Sequence, residues 1–126
     1  MRAIDTNVLV RLITRDDPRQ TASAESFVEN GAWVSTIVLV EATWVLSSVF
    51  KSSAKQLSIA IEMLLNHQDL VLESPETVSA ALHLFKAKPV LGFSDCLILE
   101  TARKAGHVPL GTFDKGLAKV AGTHKV

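Results

Sequence analysis

Short apolar runs alternate along this chain with longer stretches whose apolar residues recur at helical intervals. Met1 to Ile4 reads as a first strand and Asn7 to Thr14 as a short helix. Asp17-Pro18 opens a second helix, with Asp as N-cap and Pro at the first helical position, and Asn30-Gly31 stops it. Ala32 to Ser35 is a second strand. A long helix follows from Ile37 to Phe50, capped by Ser35 or Thr36, and Leu57, Ile61, Leu64 and Leu65 mark another between Ser53 and His67. Leu70 to Leu72 reads as a third strand, Pro75 to Lys86 as a helix, and Lys88 to Phe93 as a Pro- and Gly-containing loop. Ser94 caps a helix ending at Gly106. Val108 to Thr112 is a fourth strand, Lys115 to Val120 a last short helix, and the tail adds a weak edge strand.

Strands alternating with helices predict an α/β fold, a three-layer α/β/α sandwich around a parallel central sheet covered on both faces. No linker or low-complexity stretch divides residues 1–126, so a single domain is expected. Sites in such sheets form beyond the carboxyl ends of the strands.

Against this pattern four acids stand out. Asp5 follows Ala3-Ile4 and precedes Val8-Leu9-Val10. Glu41 is the only charged residue between Asn30 and Phe50. Asp95 opens Cys96-Leu97-Ile98-Leu99, and Asp114 follows the strand-like segment ending at Phe113. A carboxylate set against apolar surroundings costs several kcal/mol, on the order of the effective desolvation penalty, unless a cation compensates it. Helical spacing aligns Glu41 with Ile37, Val38, Trp44, Val45 and Ser48, and Asp95 with Ile98, Leu99 and Ala102, so both acids are expected on the inward stripe of their helix. The remaining acids, such as Asp16, Glu25, Glu62 and Glu76, lie in mixed polar contexts. The four point to a metal site at one edge of the sheet. The plainer alternative is a set of caps and helix-start acids.

Composition adds little and excludes some classes. Thirteen basic residues balance thirteen acidic ones, so net charge does not announce a nucleic-acid binder. The mean hydropathy of +0.27 points to apolar surface covered by a partner or a second copy. One cysteine rules out an internal disulfide and fits a reducing compartment. The start of the chain carries no signal-peptide pattern, and the segment from Ile37 to Phe50 is too short to span a bilayer, so a cytoplasmic protein with no membrane association is expected.

Basic residues recur at Arg11, Arg15 and Arg19, at Lys51 and Lys55, and at Lys115 and Lys119; such spacing forms either a solvated face or a phosphate-contacting edge. The four histidines show no metal-ligand spacing. Trp33 and Trp44 read as core; Phe93 and Phe113 read as packing residues, with base stacking on RNA as their alternative; Cys96 reads as an inert buried thiol, and part of the Ile37 helix as a partner face.

The acidic segments resemble the motifs of the PIN-domain nucleases, most closely the VapC-type toxins of bacterial and archaeal toxin–antitoxin pairs. Ala3-Ile4-Asp5-Thr6-Asn7-Val8-Leu9 is similar to the first motif and Ser35-Thr36-Ile37-Val38-Leu39-Val40-Glu41 to the second. Phe93-Ser94-Asp95-Cys96-Leu97-Ile98 resembles the third, with Cys96 where Ala is usual, and Gly111-Thr112-Phe113-Asp114-Lys115 the fourth. The resemblance covers nearly the whole chain. It implies an endoribonuclease dependent on Mg2+, with Mn2+ as substitute, acting as the toxin of a type II pair with a small antitoxin protein as partner and a homodimer as the assembly. Asp5 and Asp95 are then direct metal ligands, Glu41 a base or the holder of a water, and Asp114 a support for a second metal or the outer shell. Thr6, Asn7 and Thr112 are expected to orient the carboxylates. Two rivals remain in view. A phosphatase with Asp5 as nucleophile would want a second Asp where Asn7 stands, and a non-catalytic module of the same fold would bind a partner or RNA without cutting it.

Overall fold

The computed structural model describes residues 1–126 and is a mixed α/β protein with six helices and parallel strands. It divides into two compact units, Met1–Pro75 and Glu76–Val126.

In the first unit β1 (Arg2–Ala3), β2 (Ala32–Val34) and β3 (Leu70–Leu72) hydrogen-bond in sequence order as a parallel sheet, with Ala3 opposite Trp33 and Trp33 opposite Val71. Between them run α1 (Thr6–Thr14), α2 (Pro18–Val28), α3 (Thr36–Ser48) and α4 (Ala54–Leu65). Each helix starts where a short polar side chain replaces a missing backbone partner. Asp17 accepts from the Gln20 amide with Pro18 at the first helical position, Ser35 accepts from Val38, and Ser53 and Gln56 close a reciprocal capping box. Gly31, at φ +97°, gives α2 its left-handed exit into β2. α1 packs against both α2 and α3, and α4 against β3. Leu9, Leu39, Ile61 and Leu64 are fully buried, each contributing about 1.5–3 kcal/mol from burial. Ala32, Val34, Leu70 and Leu72 are buried, whereas Trp33 and Val71 stay 37% and 47% exposed. The two faces of this sheet are thus covered unequally, and Trp33 is not the core residue its hydrophobicity predicts.

In the second unit α5 (Pro75–Ala87) and α6 (Phe93–Ala105) are joined by one 3-10 turn at Pro89–Leu91. β4 (Leu110–Thr112) takes β5 (Thr123–Lys125), the expected weak tail strand, as a parallel partner. The expected last helix is a single 3-10 turn, Leu117–Lys119. Phe85 and Phe93 meet edge to face, 5.9 Å between ring centres. Ser94 does not cap α6. Gly92, at φ +81°, turns the chain out of the 3-10 segment, and the helix begins at Phe93 with no side-chain cap. Gly106 ends it in the left-handed conformation, as its position predicts.

Candidate active site

Two of the four acids, Asp5 and Glu41, lie in the first unit, and two, Asp95 and Asp114, in the second. Asp5 sits where β1 becomes α1. Its backbone is extended, and its Oδ1 accepts a hydrogen bond from the Val8 amide at 3.1 Å. The cap occupies one carboxylate oxygen, fixes the side chain and leaves Oδ2 for another ligand, so the capping and site readings of Asp5 are compatible. The next residue, Thr6, donates its hydroxyl to Glu41 Oε2 at 2.9 Å across 35 positions of sequence. Asn7 is exposed and makes no hydrogen bond to either acid.

Glu41 lies on α3, but not on its inward stripe. Leu39, Ala42, Thr43 and Leu46 are the buried residues of that helix. Glu41 is exposed, as are Ile37 at 73% and Trp44 at 67%. The expectation of inward-facing companions is corrected for a physical reason: α3 is apolar almost all round, so its sequence period does not tell one face from another.

Glu73 was not legible as part of this arrangement. It follows β3 directly, its amide donates to Val34 O at 2.9 Å, and its Oε1 accepts from the Thr36 amide at 2.9 Å. Together with Ser35 it satisfies first-turn donors of α3, the helix that carries Glu41. Only the parallel register of β2 and β3 brings it there.

In the second unit Asp95 occupies the first turn of α6 and is half-buried. Burial, and then the charge of Asp114, raise its carboxyl above the ordinary value of 3.8. Asp114 follows β4 and repeats the device seen at Asp5. Its amide donates to Thr112 Oγ1 at 3.0 Å, and its Oδ1 accepts from the Leu117 amide at 2.8 Å. A Cβ on Gly116 would meet that Oδ1 at 3.2 Å, so glycine there gives the carboxylate its room. Cys96 is fully buried, and burial, with Asp95 and Glu100, pushes its thiol up to about 11, which leaves it unreactive. Phe93 is core, but Phe113, beside Asp114, is 79% exposed and is not the packing residue expected.

The donors are all carboxylate and hydroxyl oxygens, the set that hard divalent cations prefer. Mutual repulsion between Asp95 and Asp114 is what a bound cation would relieve. Within either unit no group of three or more His, Cys, Asp or Glu side chains is arranged to hold a metal ion.

The basic residues sort themselves by partner. Arg11 is tied to Asp16 at 3.2 Å and to Gln20, and Arg15 to Glu25 at 2.6 Å. Arg19 is exposed and unpaired. His67 uses its Nδ1 to accept from the Asp69 amide at 3.0 Å, a turn-closing role.

A match to the PIN domain family spans residues 3–123, nearly the full chain and both units. The chain therefore belongs to the PIN family, whose domains are of nuclease type and act on nucleic acids. No curated protein matches it. No helix is long and apolar enough to cross a membrane.

Proposed function

We propose, for this PIN-family chain, hydrolysis of RNA phosphodiester bonds in which Asp5, Glu41, Asp95 and Asp114 serve one reaction with Mg2+ or Mn2+. The observation that carries the reading is the PIN-family match over residues 3–123, and a half-buried Asp95, whose carboxyl is raised by burial and then by Asp114, supports it. Carboxyls perturbed in this way are concentrated at functional sites. The cation would be held by Asp5 and Asp95, with Asp114 supporting it or a second ion, and when bound it supplies charge stabilisation at the scissile phosphate and acidifies a water. Glu41, steadied by Thr6, holds the attacking water and accepts its proton. Thr112 steadies the turn that carries Asp114. Attack by water on phosphorus with departure of the ribose 3′-oxygen leaves a 5′-phosphate and a 3′-hydroxyl.

The biological role we infer is that of a toxin in a type II toxin–antitoxin pair, cytoplasmic and homodimeric, held in check by a small antitoxin. Exposed apolar surface supports a protein partner. Ile37, Trp44 and Val49 on and after α3, with Ile59 and Met63 on α4, lie open. A groove of about 340 Å3 lined by Ile13, Leu46, Phe50, Ile59, Ala60 and Met63 runs beside them.

The rival reading, a PIN module that binds RNA without cutting it, draws on the lack of a three-acid group within either unit. One experiment separates them. Purified protein with Mn2+ is incubated with an end-labelled oligoribonucleotide, beside Asp95→Asn and a chelator control. Fragments with 5′-phosphate ends that vanish in both controls support the nuclease; an intact oligonucleotide that is nonetheless retained by the protein supports the binding module.

A further inference from the structure

The three strands of the first unit run parallel, so their carboxyl ends meet at one edge of the sheet. Ala3, Trp33 and Val71 share a register row, and two positions beyond it stand Asp5, Ser35 and Glu73. Asp5 and Ser35 cap the helices that follow them, α1 and α3. Glu73 reaches sideways instead. Its amide donates to the carbonyl of Val34, the last residue of β2, and its Oε1 accepts from the amide of Thr36, the first residue of α3, both at 2.9 Å. A single exposed residue thus holds both sides of the turn from β2 into α3, while Ser35 at the middle of that turn accepts from Val38 at 3.1 Å. The Thr36 amide has no partner within its own helix, and the partial positive charge of a helix N-terminus favours a carboxylate there.

The position of Glu41 depends on this turn. Its side chain is exposed, and the Thr6 hydroxyl holds its Oε2 from the start of α1. Apolar packing is non-directional, and α3 is apolar almost all round, so burial of Leu39, Ala42 and Leu46 does not select one rotation of the helix. The directional bonds at its first turn do. Five residues of helix span about 7.5 Å, so a swing of about 8° at the turn moves Glu41 by about 1 Å, which costs on the order of 100-fold in rate. We propose that Glu73 is a positioning residue for the reaction: by bridging the end of β2 and the start of α3 it fixes the angle at which α3 leaves the sheet, and so where Glu41 stands relative to Thr6 and the adjoining Asp5. The proposal rests on the nuclease reading and deepens it by adding a residue that acts through Glu41.

The test measures kcat and KM for oligoribonucleotide cleavage with Mn2+, well below the melting temperature. Wild type, Glu73→Ala, Glu73→Gln, Thr6→Val and the double variant Thr6→Val/Glu73→Ala are compared, and amide hydrogen exchange at Thr36 is followed without added metal. Glu73→Ala is expected to lower kcat about 10- to 100-fold with KM unchanged, because only the alignment of Glu41 is lost. Glu73→Gln keeps an oxygen acceptor at the same reach and should return kcat to within about 5-fold of wild type. Exchange at Thr36 should quicken at least ~10-fold in Glu73→Ala and stay slow in Glu73→Gln. Since Thr6 and Glu73 both steady Glu41, the double variant should lose less than the product of the two single losses, by at least about 2-fold. A Glu73→Ala protein with the kcat of the wild type, whatever its melting temperature, makes Glu73 a structural contact only and overturns the proposal while the nuclease stands. Losses that multiply in full also overturn it, because Glu73 then acts elsewhere than through Glu41. Unchanged exchange at Thr36 overturns the bridge whether or not RNA is cut. A wild type that cuts no RNA, with Thr36 exchange still governed by Glu73, overturns the nuclease reading and with it the role in the reaction.

Discussion

The two acidic pairs are held by different means. In the first unit Asp5 and Glu41 are exposed, and hydrogen bonds fix them: the Val8 amide on one, the Thr6 hydroxyl on the other. In the second, Asp95 is half-buried and feels Asp114, so that pair carries electrostatic stress. Asp5 and Asp114 are close counterparts, each a strand-ending aspartate that caps the next turn with its Oδ1. The contrast lies in their companions. One unit supplies carboxylates already oriented; the other supplies carboxylates that a cation would relieve.

The largest effects expected from breaking this comparison are on activity. Asp5→Asn keeps a good N-cap and removes only the charge, so RNA cleavage should fall at least ~100-fold while the melting temperature holds. A parallel loss of stability would mean that Asp5 is only a cap. Next comes Thr6→Val, which leaves Glu41 in place without its donor. Activity should fall about 10- to 100-fold, and Thr6→Ser should recover most of it.

Asp95→Asn sharpens the other half. The folded protein holds the Asp95 proton more tightly than the unfolded chain does, because burial and Asp114 raise its pKa. The stability tied to that proton is complete below the ordinary value of 3.8 and is lost as pH rises through the raised one. At neutral pH without metal, Asp95→Asn should therefore melt higher than the wild type, and the gain should fade as pH falls below the ordinary carboxylate range. A melting temperature lowered at neutral pH would contradict the stress assigned to this pair. Smallest is Ser35→Ala, which removes the cap of the helix bearing Glu41 and should cost about 1 kcal/mol in denaturant unfolding, with Glu73 still holding the Thr36 amide.

Features set by neighbours in sequence were legible from the chain. The caps at Asp17 and Ser35, the stop at Gly106 and the strand Leu70–Leu72 each depend on a few adjacent residues, and the structure places them as read. The alternation of strand and helix was enough for the fold class, and the segments around Asp5, Glu41, Asp95 and Asp114 for the resemblance to the family. What sequence could not give was the face of an element that is apolar all round: Trp44 and Ile37 lie outside α3, and Glu41 with them. Nor could it give contacts made across strands, such as Glu73 on Thr36, or the left-handed Gly92 that starts α6 ahead of Ser94. The four acids stood out because each interrupts an apolar run. Their companions, Thr6 on Glu41 and Asp114 beside Asp95, became visible only when the chain was folded.

The central claim is that these carboxylates take a divalent cation, and the direct measurement is the melting temperature of the partner-free protein against Mn2+ concentration, beside Asp95→Asn. A cation bound only by the folded state must raise stability, by about 2.7 kcal/mol at one hundred times its dissociation constant. The account predicts that the curves cross: Asp95→Asn starts higher without metal and stays flat, while the wild type rises past it. A wild-type curve that stays flat at millimolar Mn2+, or two curves that rise together, would contradict it.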